Sequence, residues 1–177
     1  MVERVEQREK IFEGKKIFVA APIKGVPNPN PHLVGSMVRY LKEGGATVLS
    51  EHVAAETIEE LNSMFIKENG IDRFNIDNPS PAIRTANLIS IEIAEYFIGF
   101  VDTPSAGVTI LMHEAIRKHR MGMNLTPVLC LVSEDKWEEL SNMVKGISEN
   151  DSPAAEVRKY VSTEHAKRVA RDFLLKY

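Results

Sequence analysis

The segment from Tyr96 to Glu114 (YFIGFVDTPSAGVTILMHE) constrains this chain more than any other. The run Tyr96 to Val101 is apolar throughout and reads as a strand buried on both faces. Asp102, Thr103 and Pro104 break it. Val108, Leu111, Met112 and Ala115 then recur at helical spacing and predict a helix from Gly107. A buried strand, a turn of small residues and a helix form the βα corner of a parallel sheet. In open α/β sheets, ligands bind beyond the carboxyl ends of the strands, at such corners. Ser105 and the backbone N–H groups near Gly107 fall at the start of the helix, where partial positive charge favours anions. The corner therefore reads as a candidate phosphate site. An ordinary tight βα connection has the same spacing.

The rest of the chain supplies matching parts. Residues 1–14 read as a polar arm or short helix, followed by a single domain over 15–177. Lys16 to Ala21 (KIFVAA) predicts a first strand, and Pro22 to Pro31 a loop rich in proline and asparagine. A helix is expected over His32 to Glu43, stopped by Gly44-Gly45. A short strand over Ala46 to Leu49 follows, with Ser50, Glu51 and His52 at its carboxyl end. Thr57 to Glu68 predicts a helix with Ile58, Leu61, Phe65 and Ile66 on one side. Asn69 to Pro81 reads as a loop and Ala82 to Ala94 as a helix. After the central corner come a strand over Pro127 to Val132, a helix over Asp135 to Val144 and an edge strand over Val157 to Val161. A last helix is capped by Ser162 or Thr163. Strands alternating with helices predict an α/β fold: a doubly wound five-stranded parallel sheet, flavodoxin-like in strand order, with helices on both faces.

Charge and cysteine content narrow the function classes. A net charge of −3 gives no electrostatic reason to expect nucleic-acid or membrane binding. The single cysteine, Cys130, lies in an apolar run and reads as a buried core thiol. MVERVEQREK lacks the apolar segment of a secretory signal, and no apolar run reaches the roughly 20 residues of a membrane span. A cytoplasmic location is the expectation. His32, His113 and His119 show no metal-ligand spacing, so neither a metal nor another cofactor is expected.

Four separated stretches, in order, resemble one family, the 2′-deoxynucleoside 5′-monophosphate N-hydrolases, relatives of the nucleoside 2-deoxyribosyltransferases. Phe18 to Gly25 (FVAAPIKG) resembles that family's first strand and Gly-Ser-Ile-Arg-Gly loop. Ala46 to Ala55 (ATVLSEHVAA) resembles its Val-Leu-Thr-Glu-His-Val segment, and Thr103 to Val108 (TPSAGV) its Pro-Ser-Leu-Gly-Val-Gly turn. Leu140 to Gly146 (LSNMVKG) resembles its Leu-Ser-Ala-Met-Ile-Arg-Gly segment. The resemblance implies a nucleoside 5′-monophosphate site bordered by Phe18, Pro22, Ile23, Lys24, Gly25 and His52. Ser105 and Gly107 would hold the phosphate. Ser141 would reach the phosphate of a neighbouring subunit, which implies a homodimer. Lys24 stands where the family has arginine, and Phe18 where it has tyrosine.

The implied reaction is cleavage of the bond from C1′ to the base, through an oxocarbenium-like state. A carboxylate beside C1′ stabilises that state or attacks it, and a second acid assists proton transfer. Here the sequence departs from the family. Its glutamate falls on Leu111 and its aspartate on Asn87, which cannot transfer a proton in that role. The nearest acid is Glu114, one helical turn past Leu111; its bland role is an i,i+4 pair with Lys118. Two readings stay open: an N-glycosidase or transferase using Glu114, with help from Glu92, or a nucleotide-binding protein without the hydrolytic pair.

Overall fold

A computed structural model of the chain describes residues 10–23 and 31–177. Five parallel strands form one sheet in the order β2-β1-β3-β4-β5. They are β1 (Lys16–Ala20), β2 (Thr47–Val48), β3 (Tyr96–Phe100), β4 (Val128–Ser133) and β5 (Ala155–Tyr160). This is the doubly wound order expected. The alternation of side chains along each strand sorts the core into two layers. Ile17, Val19, Ile98, Leu129 and Leu131 point to one face, under α1 (Pro31–Glu43) and α6 (Thr163–Lys176). Phe18, Ala20, Phe97, Val128 and Cys130 point to the other, under α3 (Ser80–Ile93) and α4 (Ala106–Arg120). Because β1 connects toward β2 and β3 toward β4, their carboxyl ends part at a crevice between them.

β2 is shorter than the sequence suggests, for a definable reason. The buried hydroxyl of Ser50 accepts from the Val19 N–H at 2.9 Å and donates to the Val19 carbonyl at 2.7 Å. One side chain thus supplies the bonds that another strand residue would have made. Other differences also have local causes. The stretch read as a polar arm contains an anchor, Phe12, which is fully buried. Its backbone N–H donates to Gly44 at 2.7 Å, and a Cβ on Gly44 would lie 2.3 Å from the Phe12 ring. Gly44 is therefore required by packing as well as by the end of α1.

In α2 (Ile58–Asn69), Leu61 and Phe65 are buried, whereas Ile58 and Ile66 are exposed. The helix expected over Asp135 to Val144 breaks into a 3-10 turn over Glu134–Lys136 and a short α5 (Asn142–Lys145). Ser141 accounts for the break, since its hydroxyl accepts from the Met143 N–H at 3.2 Å and caps α5. It is a helix cap rather than a mid-helix serine.

Cys130 is fully buried with its Sγ 3.2 Å from the Met112 sulfur, and burial pushes the thiol up to about 12. At pH 8 the folded chain is therefore expected to release almost no thionitrobenzoate from a disulfide reagent, whereas the chain in denaturant reacts promptly. Rapid reaction of the native protein would contradict this burial.

Candidate functional site

The crevice beyond β1 and β3 opens into a cavity of about 670 Å³. Its floor is Phe18 and Ala20 of β1; Phe18 stacks on Phe97 with ring centroids 6.0 Å apart. One wall is the first turn of α4, from Pro104 to Val108, followed by Ile110 and Leu111. Ser105 is the N-cap of α4, and its Oγ accepts from the Val108 N–H at 3.3 Å. The remaining first-turn N–H groups have no helical acceptor, and they carry the positive end of the helix dipole. The corner is open where an anion would sit. Gly107 leaves room there, since the nearest atom to an added Cβ is the Ser105 Oγ at 3.8 Å.

α3 forms a second wall with Ser80, Ile83, Arg84, Asn87 and Leu88. Asn87 donates one Nδ2 hydrogen to the Ile83 carbonyl at 2.9 Å, which leaves its side-chain oxygen and second amide hydrogen to meet a ligand. The third wall is His52, Val53, Phe65 and Arg73. His52 is buried and doubly fixed by Glu68. Its backbone N–H donates to Oε1 at 2.9 Å, and its Nδ1 lies 2.5 Å from Oε2. The ring also stands edge-on to Phe65, with centroids 4.9 Å apart. With Nδ1 engaged, Nε2 is the ring atom free to act.

The positions expected to border a nucleotide do not all meet here. Phe18, Ile23, His52, Asn87, Ser105, Gly107 and Leu111 line the cavity. Pro22 is buried and Ser141 caps α5; neither is among the lining residues. Lys24 and Gly25 lie outside the described residues. Glu114 and Glu92 do not line the cavity. Glu114 pairs with Arg117 at 3.5 Å rather than with Lys118. Lys118 is unavailable because it is buried, donating to the Ile91 and Ala94 carbonyls at 3.1 and 2.8 Å. The dipole at the end of α3 favours that cation, while burial lowers its pKa.

No Asp or Glu is found among the described residues lining the cavity. Asp102, the acid at the end of β3, faces β4 and β5 instead. It accepts from the Ser133 N–H at 2.5 Å and the Tyr160 hydroxyl at 2.8 Å, and burial raises its pKa. Ionisable side chains contributed to the cavity by described residues are thus His52, Arg73 and Arg84. Sequence reasoning missed Arg73, Arg84 and Glu68. None sits in a recognisable motif, and each reaches the site through tertiary packing. Among the described residues, no group of three or more His, Cys, Asp or Glu could hold a metal ion, and no helix is long and apolar enough to cross a membrane.

No family model matches the sequence. A protein of Methanosarcina mazei, provisionally named 2′-deoxynucleoside 5′-phosphate N-hydrolase 1, is 31% identical over 97% of this chain and 94% of its own length. Its namesake in Methanosarcina barkeri is 28% identical over 98% of this chain and 95% of its own length. Among solved structures, the CMP N-glycosidase of Clostridium botulinum superposes with a TM-score of 0.55. It is 15% identical, and the match covers 90% of this chain and 99% of that one, a likeness of fold.

Proposed function

Since the chain belongs to the 2′-deoxynucleoside 5′-phosphate N-hydrolase family, we propose that its cavity takes a nucleoside 5′-monophosphate and that its reaction is cleavage of the N-glycosidic bond. The observation that carries this reading is the open first turn of α4, with Ser105 and Gly107, on a cavity that described residues line with cations and no carboxylate. Such a cavity favours an anionic ligand, and its volume lies within the roughly 300–1,000 Å³ of small-molecule sites. The phosphate sits on the α4 N-terminus, the sugar against Leu111 and Asn87, and the base toward Phe65. Glu114 is the candidate carboxylate. Its partly exposed pair with Arg117 holds it by no more than about 1 kcal/mol, so the pair does not lock it away from the cavity. His52, braced by Glu68, is positioned to share a proton with the departing base.

We further propose a homodimer of this single-domain chain in the cytoplasm. Ile89 and Ile93 on α3 and Ile110 on α4 are exposed apolar side chains on the two helices that wall the cavity. Met143, two residues from Ser141, is 85% exposed. A second copy covering these residues would bring its Ser141 toward the phosphate.

The missing lining carboxylate favours a second reading, in which the chain binds the nucleotide and does not cleave it. Chromatographic assay of free base from a panel of nucleoside and deoxynucleoside 5′-monophosphates separates the two. Base release that is abolished by Glu114→Ala supports cleavage as described. Base release unchanged by Glu114→Ala removes that residue from the chemistry. No release, with a nucleotide-dependent rise in melting temperature, supports binding alone.

Gly107→Ala provides a sharper check on the phosphate position. The fold has room for the methyl group, and a helix with alanine in place of glycine gains up to about 1 kcal/mol. The same methyl group would crowd an anion on the first turn. The variant is expected to melt no lower than the parent while binding the nucleotide at least about tenfold more weakly, a loss of about 1.4 kcal/mol. Unchanged affinity would place the phosphate elsewhere.

A further inference from the structure

Arg73, partly buried, is the one arginine in the described structure that joins a cavity position to a covered Nε without a partner. It lines the cavity, and its Nε is shut off from solvent with no hydrogen-bond partner. Among the described residues no acceptor or carboxylate meets any of its side-chain N–H groups. Its backbone, by contrast, is tightly held. The Arg73 N–H donates to Asn62 Oδ1 at 2.9 Å, and Asn62 Nδ2 donates to Asp72 Oδ1 at 2.9 Å. Asp72 also accepts from the Phe74 N–H at 3.0 Å and from Asn75 Nδ2 at 2.6 Å. The guanidinium lies over the Phe65 ring, 5.7 Å from its centroid, with His52 against the same ring. A held backbone, an aromatic shelf and uncommitted donors form a site prepared for a ligand acceptor. No protein acceptor among the described residues competes with a ligand for the Nη groups, and a guanidinium hydrogen bond to a ligand acceptor is a strong one.

Resting on the proposed nucleotide site, we propose that Arg73 reads the base and selects one that presents two neighbouring hydrogen-bond acceptors on one edge. With the phosphate on α4, the base extends toward Phe65 and Arg73. Since Nε is covered, the fork left for a ligand is the Nη1 and Nη2 edge. A planar fork of two N–H donors matches two adjacent acceptors and mismatches an acceptor beside a donor. Guanine offers O6 and N7, and cytosine offers O2 and N3. Adenine sets N1 and N7 beside its amino donor and leaves N3 with no neighbouring acceptor, and uracil separates its carbonyls by an N–H. The selected class is therefore guanine and cytosine nucleotides.

The test is calorimetric titration of the full chain with GMP, CMP, AMP and UMP, repeated on Arg73→Lys, which keeps the charge and removes the fork. The parent is expected to bind GMP and CMP at least about tenfold more tightly than AMP and UMP. Arg73→Lys is expected to shrink that ratio below about threefold, with AMP and UMP affinities unchanged and the melting temperature retained. Equal binding of all four nucleotides by the parent overturns the base-reading role while leaving the nucleotide site standing. An equal loss for all four in Arg73→Lys also overturns it, by assigning Arg73 to the phosphate or sugar. A preference that survives Arg73→Lys overturns it as well. If none of the four binds, the nucleotide site falls and this inference with it.

Discussion

Installing both absent carboxylates, Leu111→Glu together with Asn87→Asp, is expected to raise base release from a bound nucleoside 5′-monophosphate by at least about a hundredfold over the parent chain. Both positions line the cavity, on the two helices that flank the proposed sugar site. A carboxylate at 111 would stabilise positive charge at C1′, and an acid at 87 would assist the base. Positioned acid–base groups alone contribute roughly 10²–10⁴-fold. The substitutions carry a modest stability cost. Asn87 loses its 2.9 Å bond to the Ile83 carbonyl, about 1 kcal/mol, and Glu at 111 is partly desolvated. Arg84, on the same wall as Asn87, offsets part of the added negative charge. Each single variant is expected to gain less than the pair, because attack and departure need both groups. A double variant that folds and binds the nucleotide, yet releases base no faster, would show that these positions do not face the reacting bond.

The second large effect concerns the scaffold. Ser50→Ala is expected to lower the unfolding free energy by roughly 2–4 kcal/mol, since it strips partners from both the N–H and the carbonyl of Val19 in the buried sheet. For a chain of this size that corresponds to a melting temperature lower by about 5–15 °C. Urea denaturation followed by circular dichroism measures the loss directly. A loss below about 0.5 kcal/mol would mean that water or a shifted β2 takes over the hydroxyl's bonds. The same variant is expected to disturb the site, because Ser50 ends β2 just before His52 and sets where the His52–Glu68 pair begins.

Much of this architecture was legible in the residues. The apolar runs at 16–21, 96–101 and 127–132 correspond to β1, β3 and β4 because strands covered on both faces leave little room for polar residues. The α4 corner was legible because Ser105 is a good N-cap and Pro104 precedes it. What the sequence hid was mostly tertiary. Ile58 and Ile66 carry the helical period yet stay exposed, since α2 buries only the stripe through Leu61 and Phe65. Ser141 interrupts an apparently continuous helix by bonding to the backbone nearby. Glu68 is sixteen residues from His52 and meets it only because α2 folds back over the turn after β2. Arg73 lies in a polar loop where composition gives no hint of a place on the cavity wall. Its place over Phe65 is set by Asn62 and Asp72. Leu111 and Asn87, onto which the family's two acids fall by counting, line the cavity, while Glu114 turns to Arg117.

The central claim is that an anion rests on the first turn of α4. Titration of the unmodified chain with a nucleoside 5′-monophosphate and with the same nucleoside lacking its phosphate tests it most directly. The account predicts that the phosphorylated ligand binds at least about a hundredfold more tightly, roughly 2.7 kcal/mol. Equal affinity for the two would contradict it.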